Sequence, residues 1–171
     1  MKVAVLIEDH YQVLEAWYPY LRLKEQGIET VFLGPGRKKE YGSKEGYPAP
    51  EEIPVEKAGV NEFDGVVIPG GYAPDMLRRY PEVNAFVKKM FKEGKLVAAI
   101  CHAGWVLVSA DILKGKKATC FSAIKDDVIN AGAEFIDNEV VVDGNLITSR
   151  NPYDLPSFMR EIIKYLKKSG A

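Results

Sequence analysis

The stretch Leu96-Val97-Ala98-Ala99-Ile100-Cys101-His102-Ala103-Gly104 decides the fold. Its first five residues form an uninterrupted apolar run, which predicts a strand buried on both faces, as in a parallel sheet. Residues 102–110 predict a helix, so the strand turns sharply at Cys101. The small residues Ala99 and Ala103, two positions before and after the turn, let strand and helix approach closely, as in a nucleophile elbow. The stretch therefore indicates an α/β fold with a thiol at the carboxyl end of a central strand.

Short β-branched runs and longer amphipathic segments alternate on both sides of this stretch. The further predicted strands are 3–7, 29–33, 66–68, 117–121, 140–142 and 146–149, and the further predicted helices are 14–25, 81–93, 126–131 and one that opens at Asp154-Leu155-Pro156. The segment 34–55 is rich in Gly, Pro, Lys and Glu and predicts a surface excursion with a small hairpin. Such alternation is typical of βαβ units, so we expect a mainly parallel sheet with helices on both faces. No repeat or linker divides the sequence, and we expect one domain over residues 1–171.

The composition excludes several classes of protein. The chain has 171 residues, 47% of them hydrophobic, and its 23 basic and 24 acidic residues give a net charge of -1. This balance favours neither nucleic acid nor an anionic membrane as a partner. The apolar start ends at Glu8-Asp9, too early for a signal peptide or a membrane span, so we expect a cytoplasmic protein with free thiols.

Four segments follow predicted strands at one edge of the sheet, where open parallel sheets bind their ligands. They are Glu8-Asp9-His10, Gly70-Gly71-Tyr72, Cys101-His102 and Ser149-Arg150. The two glycines either make an ordinary turn or bring backbone N–H groups next to the thiol, as half of an oxyanion hole. Glu15 lies at the same edge, in the first turn of the first helix.

The thiol of Cys101 is the main candidate for chemistry. Unpaired N–H groups and the helix dipole at a helix start favour a thiolate, so we expect a depressed pKa; the alternative is a small apolar side chain that fills a gap. His102 either exchanges protons near the thiol, faces a neighbouring subunit, or is satisfied by water and backbone. Glu15 either interacts with its helix dipole or, beside a thiolate, is protonated and donates a hydrogen bond.

The remaining candidates carry weaker signals. His10 is a loop residue at the rim, and Arg150 either holds an ion pair or contacts substrate. Cys120 lies within a predicted strand and is expected to pack in the core. The histidines and cysteines are His10, Cys101, His102 and Cys120, and no pair has metal-ligand spacing. Because a phosphate-binding glycine loop and a dinucleotide fingerprint are also missing from the sequence, we expect no metal and no cofactor.

The sequence resembles the ThiJ/PfpI family over nearly its whole length, in particular the PfpI-type intracellular protease and deglycase branch. The motifs that carry this resemblance are Glu15-Ala16-Trp17-Tyr18-Pro19, Phe63-Asp64 before Pro69-Gly70-Gly71, Ala98-Ala99-Ile100-Cys101-His102, Lys125-Asp126-Asp127, Asn130-Ala131-Gly132-Ala133, Val140-Val141-Val142-Asp143-Gly144-Asn145, and Ser149-Arg150 with Asp154-Leu155-Pro156. Two departures stand out. Ala103-Gly104 replaces Gly-Pro after the histidine, with Trp105 next as a further pocket candidate, and Gln12-Val13 replaces an acidic pair before Glu15.

The resemblance implies a flavodoxin-like sandwich of the class I glutamine amidotransferase type. It implies that Cys101 is a nucleophile hydrogen-bonded to Glu15, and that backbone N–H groups of Gly71 and His102 form the oxyanion hole. It further implies a homodimer or hexamer in which Asp75 of one chain completes His102 of another, so that the active site lies at a subunit interface.

The activity that the resemblance implies is that of a cofactor-independent cysteine hydrolase. Family members act as deglycases or glyoxalases on methylglyoxal and its adducts, as peptidases, or as stress-protective proteins. We therefore expect a small-molecule substrate, either a reactive carbonyl or a glycated adduct. The alternatives are an intracellular cysteine peptidase with a peptide substrate and a non-catalytic redox-sensing or chaperone-like stress protein.

Overall fold

The predicted central strand is the third of seven in the main sheet. In the computed structural model, which describes residues 1–170, β7 (Leu96–Ile100) has the predicted bounds, and all five of its residues are buried. The other strands are β1 (Lys2–Leu6), β2 (Glu29–Gly34), β3 (Glu40–Gly42), β4 (Pro48–Pro50), β5 (Ile53–Pro54), β6 (Gly65–Ile68), β8 (Lys117–Ala118), β9 (Glu134–Phe135), β10 (Val140–Asp143) and β11 (Leu146–Ser149). The α-helices are α1 (Val13–Glu25), α2 (Ala73–Leu77), α3 (Pro81–Lys92), α4 (Gly104–Ser109), α5 (Lys125–Asn130) and α6 (Leu155–Ser169).

The main sheet has the strand order β10-β11-β7-β6-β1-β2-β5. All neighbours pair in parallel except β10 and β11, which form the predicted antiparallel hairpin. The predicted mainly parallel sheet is therefore confirmed. Two small sheets flank it: β3 pairs with β4 in the excursion 34–55, and β8 pairs with β9.

The helices cover both faces because the chain leaves β1 and β6 in opposite directions. α1 leads from β1 to β2, whereas α3 leads from β6 to β7 on the other side. Right-handed crossovers then place α1 and α3 on opposite faces of the sheet. α1 packs with α6, and α3 packs with α4. Because β1 and β6 are neighbours, a crevice opens at their carboxyl ends, as at the switch point of other doubly wound sheets.

Local sequence explains how the helices begin and which face they bury. α1 begins after Gln12, whose side-chain oxygen accepts a hydrogen bond from the Glu15 backbone N–H at 2.9 Å. In α6 the side chains of Phe158, Ile162 and Leu166, spaced four residues apart, are buried, which is the pattern of an amphipathic helix.

Three local expectations were inaccurate. The strand predicted at 117–121 ends at Ala118, because the chain then turns towards Cys101, where Phe121 N donates to Cys101 O at 3.2 Å. The helix predicted at 102–110 begins as a 3-10 turn over Cys101–Ala103 and becomes α-helical at Gly104. The short elements α2, β5 and β9 were not predicted, since two to five residues carry too little periodicity.

Of the helices in residues 1–170, none is both long enough and apolar enough to cross a membrane.

Candidate active site

Cys101 occupies a strained turn at the carboxyl end of β7. Its φ of 63° lies in the left-handed region, which residues other than glycine seldom adopt. Residues held in this way cost on the order of 1–3 kcal/mol and cluster at functional sites. Its thiol is buried at the floor of a crevice, with the residue only 8% exposed. The nucleophile-elbow layout expected at Ala99-Cys101-Ala103 is the geometry that the structure has.

Glu15 projects from the first turn of α1 to the same point. The residue is fully buried, and its Oε2 accepts a hydrogen bond from the Gly70 backbone N–H at 2.7 Å. Burial raises the pKa of Glu15 to about 7, although the Gly70 N–H and the Cys101 thiol beside it act in the opposite direction. A proton on this carboxyl group at neutral pH is what a thiolate neighbour requires.

The double glycine after β6 brings backbone against the thiol. A methyl group on Gly70 would lie 2.6 Å from both Cys101 Cβ and Glu15 Oε2, so only glycine fits. Gly71 has a φ of +75°, and a Cβ there would lie 2.4 Å from the His10 carbonyl oxygen. In this conformation the backbone N–H groups of Gly71 and His102 lie beside the Cys101 sulfur, where they favour its thiolate. Of the two alternatives for Gly70-Gly71, the structure favours close backbone approach to the thiol, but Gly70 was wrong as an oxyanion donor because its N–H donates to Glu15.

The expected depression of the thiol pKa is wrong. Burial and the neighbouring charge of Glu15 raise the pKa of Cys101 to about 12, while the N–H groups of His102 and Gly71 lower it. The residues after Cys101 form a 3-10 turn and the α-helix begins only at Gly104, so the thiol does not lie at the start of an α-helix as expected. Protonation of Glu15 removes the charge that opposes the thiolate, so the two groups share one proton.

His102 lies beside the thiol and is half-buried. Its Nδ1 is 3.2 Å from Cys101 Sγ, and its ring stacks on Phe121 with the centroids 5.0 Å apart. Burial lowers the pKa of His102, followed by the charge of Lys44, so the neutral ring is favoured. Within residues 1–170, no carboxylate forms a salt bridge with this histidine.

Asp75 lies in the first turn of α2 and, within residues 1–170, forms no salt bridge with the His102 of its own chain. Its carboxylate pairs with Arg79 at 2.5 Å, and its side chain is about half exposed. A contact with His102 of another chain stays a prediction.

The crevice forms a cavity of about 300 Å³ around the thiol. It is lined by Gln12, Glu15, Lys44, Gly71, Tyr72, Cys101, His102, Phe121, Asn151 and Pro152. Sequence reasoning missed Lys44, Phe121 and Asn151. Lys44 comes from the excursion 34–55, where no motif marked it, and Phe121 stood in a segment interpreted as strand. Among residues 1–170, no group of three or more His, Cys, Asp or Glu side chains is placed to hold a metal ion.

Three predicted pocket residues lie outside this cavity. The exposed His10 contributes only backbone, its carbonyl accepting from Tyr72 N at 2.9 Å. Trp105 packs against the His102 ring and donates from Nε1 to Asp127 at 2.9 Å.

Arg150, the third, is held by two carboxylates. It donates to Asp154 at 2.9 Å and to Asp137 at 2.8 Å, so the ion-pair alternative is the one observed. It lines a neighbouring cavity of about 370 Å³ together with Cys120, which is buried as expected of a core residue.

Comparisons with known proteins place this geometry in a family. The model of the DJ-1/PfpI family matches residues 1–165. The deglycase PH1704 of Pyrococcus horikoshii is 45% identical over 167 residues, which cover 98% of this chain and all of that protein. YraA of Bacillus subtilis, named as a candidate cysteine protease, is 39% identical over 170 residues, covering 97% of this chain and 98% of that one.

A solved structure agrees with these sequence matches. It is a two-domain protein from Anabaena variabilis with a DJ-1/ThiJ/PfpI-like and a ferritin-like domain. It superposes with a TM-score of 0.95 at 46% identity, over 97% of this chain and 48% of that chain. The sandwich fold, the match over 165 residues and the relatives that align from end to end lead to one conclusion: the chain belongs to the DJ-1/PfpI family.

Proposed function

We propose that this protein is a cofactor-independent cysteine hydrolase of the PfpI type, acting on small reactive carbonyls or their glycated adducts. The observation that carries the proposal is the placement of the Cys101 thiol in a cavity of about 300 Å³, against Glu15 and two backbone N–H donors. A cavity of this size fits a compound of a few carbon atoms. The name deglycase given to a 45% identical relative supports the same substrate class.

The reaction begins with the proton that Cys101 and Glu15 share. When Glu15 holds it, the sulfur is a thiolate and adds to a carbonyl carbon of the substrate, so that a C–S bond forms and the π-electron pair moves to oxygen. The N–H groups of Gly71 and His102, which lie beside the sulfur in the free enzyme, are then next to the new oxyanion and stabilise it.

Completion of the reaction requires proton movement between two carbon atoms. For a 2-oxoaldehyde bound as a thiohemiacetal, loss of the proton on the former aldehyde carbon and its return to the adjacent carbon give a thioester. Water then hydrolyses the thioester to a 2-hydroxy acid and regenerates the thiol, so atoms and electrons balance. Glu15, the one carboxyl group among the described residues that line the cavity, first gives its proton to the oxyanion, then takes the proton of the former aldehyde carbon as a base and returns it to the adjacent carbon as an acid. His102 exchanges protons with the sulfur.

The test is release of a free thiol and a 2-hydroxy acid from the methylglyoxal adduct of a small thiol. We expect turnover in the wild type and in Cys120→Ala, and loss to background in Cys101→Ala. Full activity of the Cys101→Ala variant would refute the proposal.

A peptidase is the second candidate, and the name given to the Bacillus subtilis relative favours it. The same nucleophile would serve, but a peptide must reach a thiol that is only 8% exposed, past Tyr72 and Pro152. Peptidase activity would be supported if the wild type cleaves an unfolded protein and the Cys101→Ala variant does not. If the wild type cleaves no unfolded protein, the reaction with small molecules is the remaining proposed activity.

The protein is further proposed to act as a homodimer or hexamer. In this arrangement the exposed carboxylate of Asp75 in one chain approaches His102 of another and completes the site. The family likeness and the lack of an acidic partner for His102 within residues 1–170 support it.

A further inference from the structure

The loop that carries Lys44 is hydrogen-bonded to the start of α1 and to Tyr11 just before it. The Lys44 backbone N–H donates to the Tyr11 carbonyl at 2.9 Å, and the Val13 backbone N–H donates to the Glu45 carboxylate at 3.2 Å. The Ser43 hydroxyl accepts from the N–H groups of Glu45 and Tyr47 and closes the turn. Lys44 is therefore held in a fixed relation to the helix that positions Glu15.

Among the described residues that line the cavity, one is a lysine and none is an arginine. The lysine is Lys44, and the other polar groups include the amides of Gln12 and Asn151. Its nearest carboxylate, Glu45, lies 3.6 Å from Nζ but outside the cavity lining, and its oxygens also accept from Gln12 and Val13. The positive charge is thus only partly compensated.

Glu15 and His102 do not repel an anionic substrate while the thiolate attacks, so the thiolate itself is the negative charge that Lys44 must offset. Glu15 then holds the shared proton and is neutral, and the ring of His102 is neutral because burial disfavours its charge. An anionic group beside Lys44 gains attraction at this stage, whereas a guanidinium group meets repulsion.

We propose that Lys44 makes the cavity selective for anionic substrates, namely 2-oxoaldehydes and their adducts that carry a carboxylate. The carbonyl chemistry in this inference rests on the proposed function, but the charge selection does not. The carbonyl carbon lies at Cys101 and the carboxylate at Lys44, so adducts on an acidic carrier react faster than those on arginine side chains.

Two alkylating reagents of nearly equal size test the charge selection without any turnover. Iodoacetate and iodoacetamide each form an S–C bond with the thiolate and release iodide, but only the first is an anion. Peptide mass mapping follows the alkylation of Cys101, and the rate with iodoacetate is divided by the rate with iodoacetamide. This ratio is then divided by the ratio for N-acetylcysteine amide, which corrects for the intrinsic reactivity of the two reagents towards a free thiol. We expect a preference for iodoacetate of about five-fold at low salt, which declines as salt screens the charge.

Variants at two lysines identify the source of this preference. Lys44→Gln abolishes it and Lys44→Glu reverses it, while the matched control Lys39→Gln, in the same excursion but outside the cavity lining, retains it. A change in thiolate formation alters both rates equally and leaves the ratio unchanged. A wild-type ratio equal to that of the free thiol, an unchanged ratio in Lys44→Gln, or a Cys101 that neither reagent reaches would overturn the inference.

A second experiment tests the charge selection by measuring enzymatic turnover. The wild type should prefer 4,5-dioxopentanoate to its methyl ester in kcat/KM by about five-fold, a preference that Lys44→Gln loses. If neither compound is turned over but the alkylation ratio behaves as expected, the proposed function fails and the anion selectivity stands.

Discussion

Cys101 and Glu15 form a buried pair, and the raised pKa of Glu15 links stability to pH. The ordinary pKa of a glutamate is 4.5, and burial raises that of Glu15 to about 7 in the folded protein. From pH 4.5 to 7 the unfolded chain therefore loses the carboxyl proton of Glu15 while the folded protein keeps it. Folding stability falls over this range, and the difference in pKa corresponds to a loss of roughly 3 kcal/mol above pH 7.

We predict that Glu15→Gln removes this pH dependence. Urea denaturation at pH 4.5 and pH 8 should show the wild type losing roughly 3 kcal/mol more than the variant between the two values. The amide oxygen still accepts from Gly70 N–H, so the variant should fold. Its turnover should fall by at least about 10²-fold because the carboxyl group that takes the thiol proton and moves the substrate proton is lost. Parallel stability curves for the two proteins would contradict the raised pKa.

A second residue-scale prediction concerns Gly70. A Cβ at this position would lie 2.6 Å from Cys101 Cβ and from Glu15 Oε2, so Gly70→Ala should displace the nucleophile and reduce kcat/KM by about 10²-fold. Gly42→Ala is the matched control, since neither glycine has a positive φ and a Cβ at Gly42 meets nothing within 4 Å. Equal activity of the two variants would show that the close approach is unimportant.

The sequence predicted the members of this pair but not their energetics. Cys101 is marked by the strand-to-helix turn, and Glu15 by its place at the edge where strands end. The expectation of a depressed thiol pKa was wrong because burial and a neighbouring carboxyl group, both tertiary effects, outweigh the backbone N–H groups of His102 and Gly71. Lys44 escaped notice for a similar reason: a loop far from the motifs brings it to the cavity.

At the scale of elements, apolar runs fixed the strand bounds best. β7 was predicted to the residue because it is apolar throughout and buried on both faces. The 3-10 turn at Cys101–Ala103 was not predicted, since composition does not distinguish it from the first turn of an α-helix.

Arg150 links the end of β11 to the start of α6, and we predict a structural role for it. Arg150→Gln leaves the nearly buried Asp154 carboxylate without its partner, so the free energy of unfolding should fall by about 1–2 kcal/mol in chemical denaturation. KM should not change, because Arg150 does not line the cavity around Cys101. Arg22→Gln, which breaks an exposed pair with Glu25, is the control and should cost less than about 0.5 kcal/mol. A rise in KM without loss of stability would instead indicate contact with substrate.

At the scale of the whole molecule, the alternation of strands and helices predicted the layers and the edge that holds the site. The strand order follows from right-handed crossovers, and with it the crevice between the ends of β1 and β6. Assembly depends on surface complementarity between copies, which the periodicity of one chain does not encode. The contact between Asp75 and His102 therefore stays a prediction.

We predict that Asp75→Asn lowers turnover by about 10²-fold through weaker proton transfer at His102. The same change also breaks the pair with Arg79, so Arg79→Gln is the control: it removes that pair but keeps the carboxylate, and it should remain active. Light scattering should show that all these proteins are oligomers at micromolar concentration.

Complementation between two inactive variants decides whether the site is shared. In a mixed dimer of Cys101→Ala and Asp75→Asn, one site combines an intact Cys101 and His102 from the second chain with Asp75 from the first. For random exchange in a two-fold symmetric dimer, half of the dimers are mixed and each has one complete site, so activity should recover to about a quarter of the wild-type value. If Asp75 acted within its own chain, no mixture would contain a complete site and activity would stay at the level of the separate variants. The recovered activity should also disappear on dilution to a monomeric state, because Asp75 then has no second chain to approach.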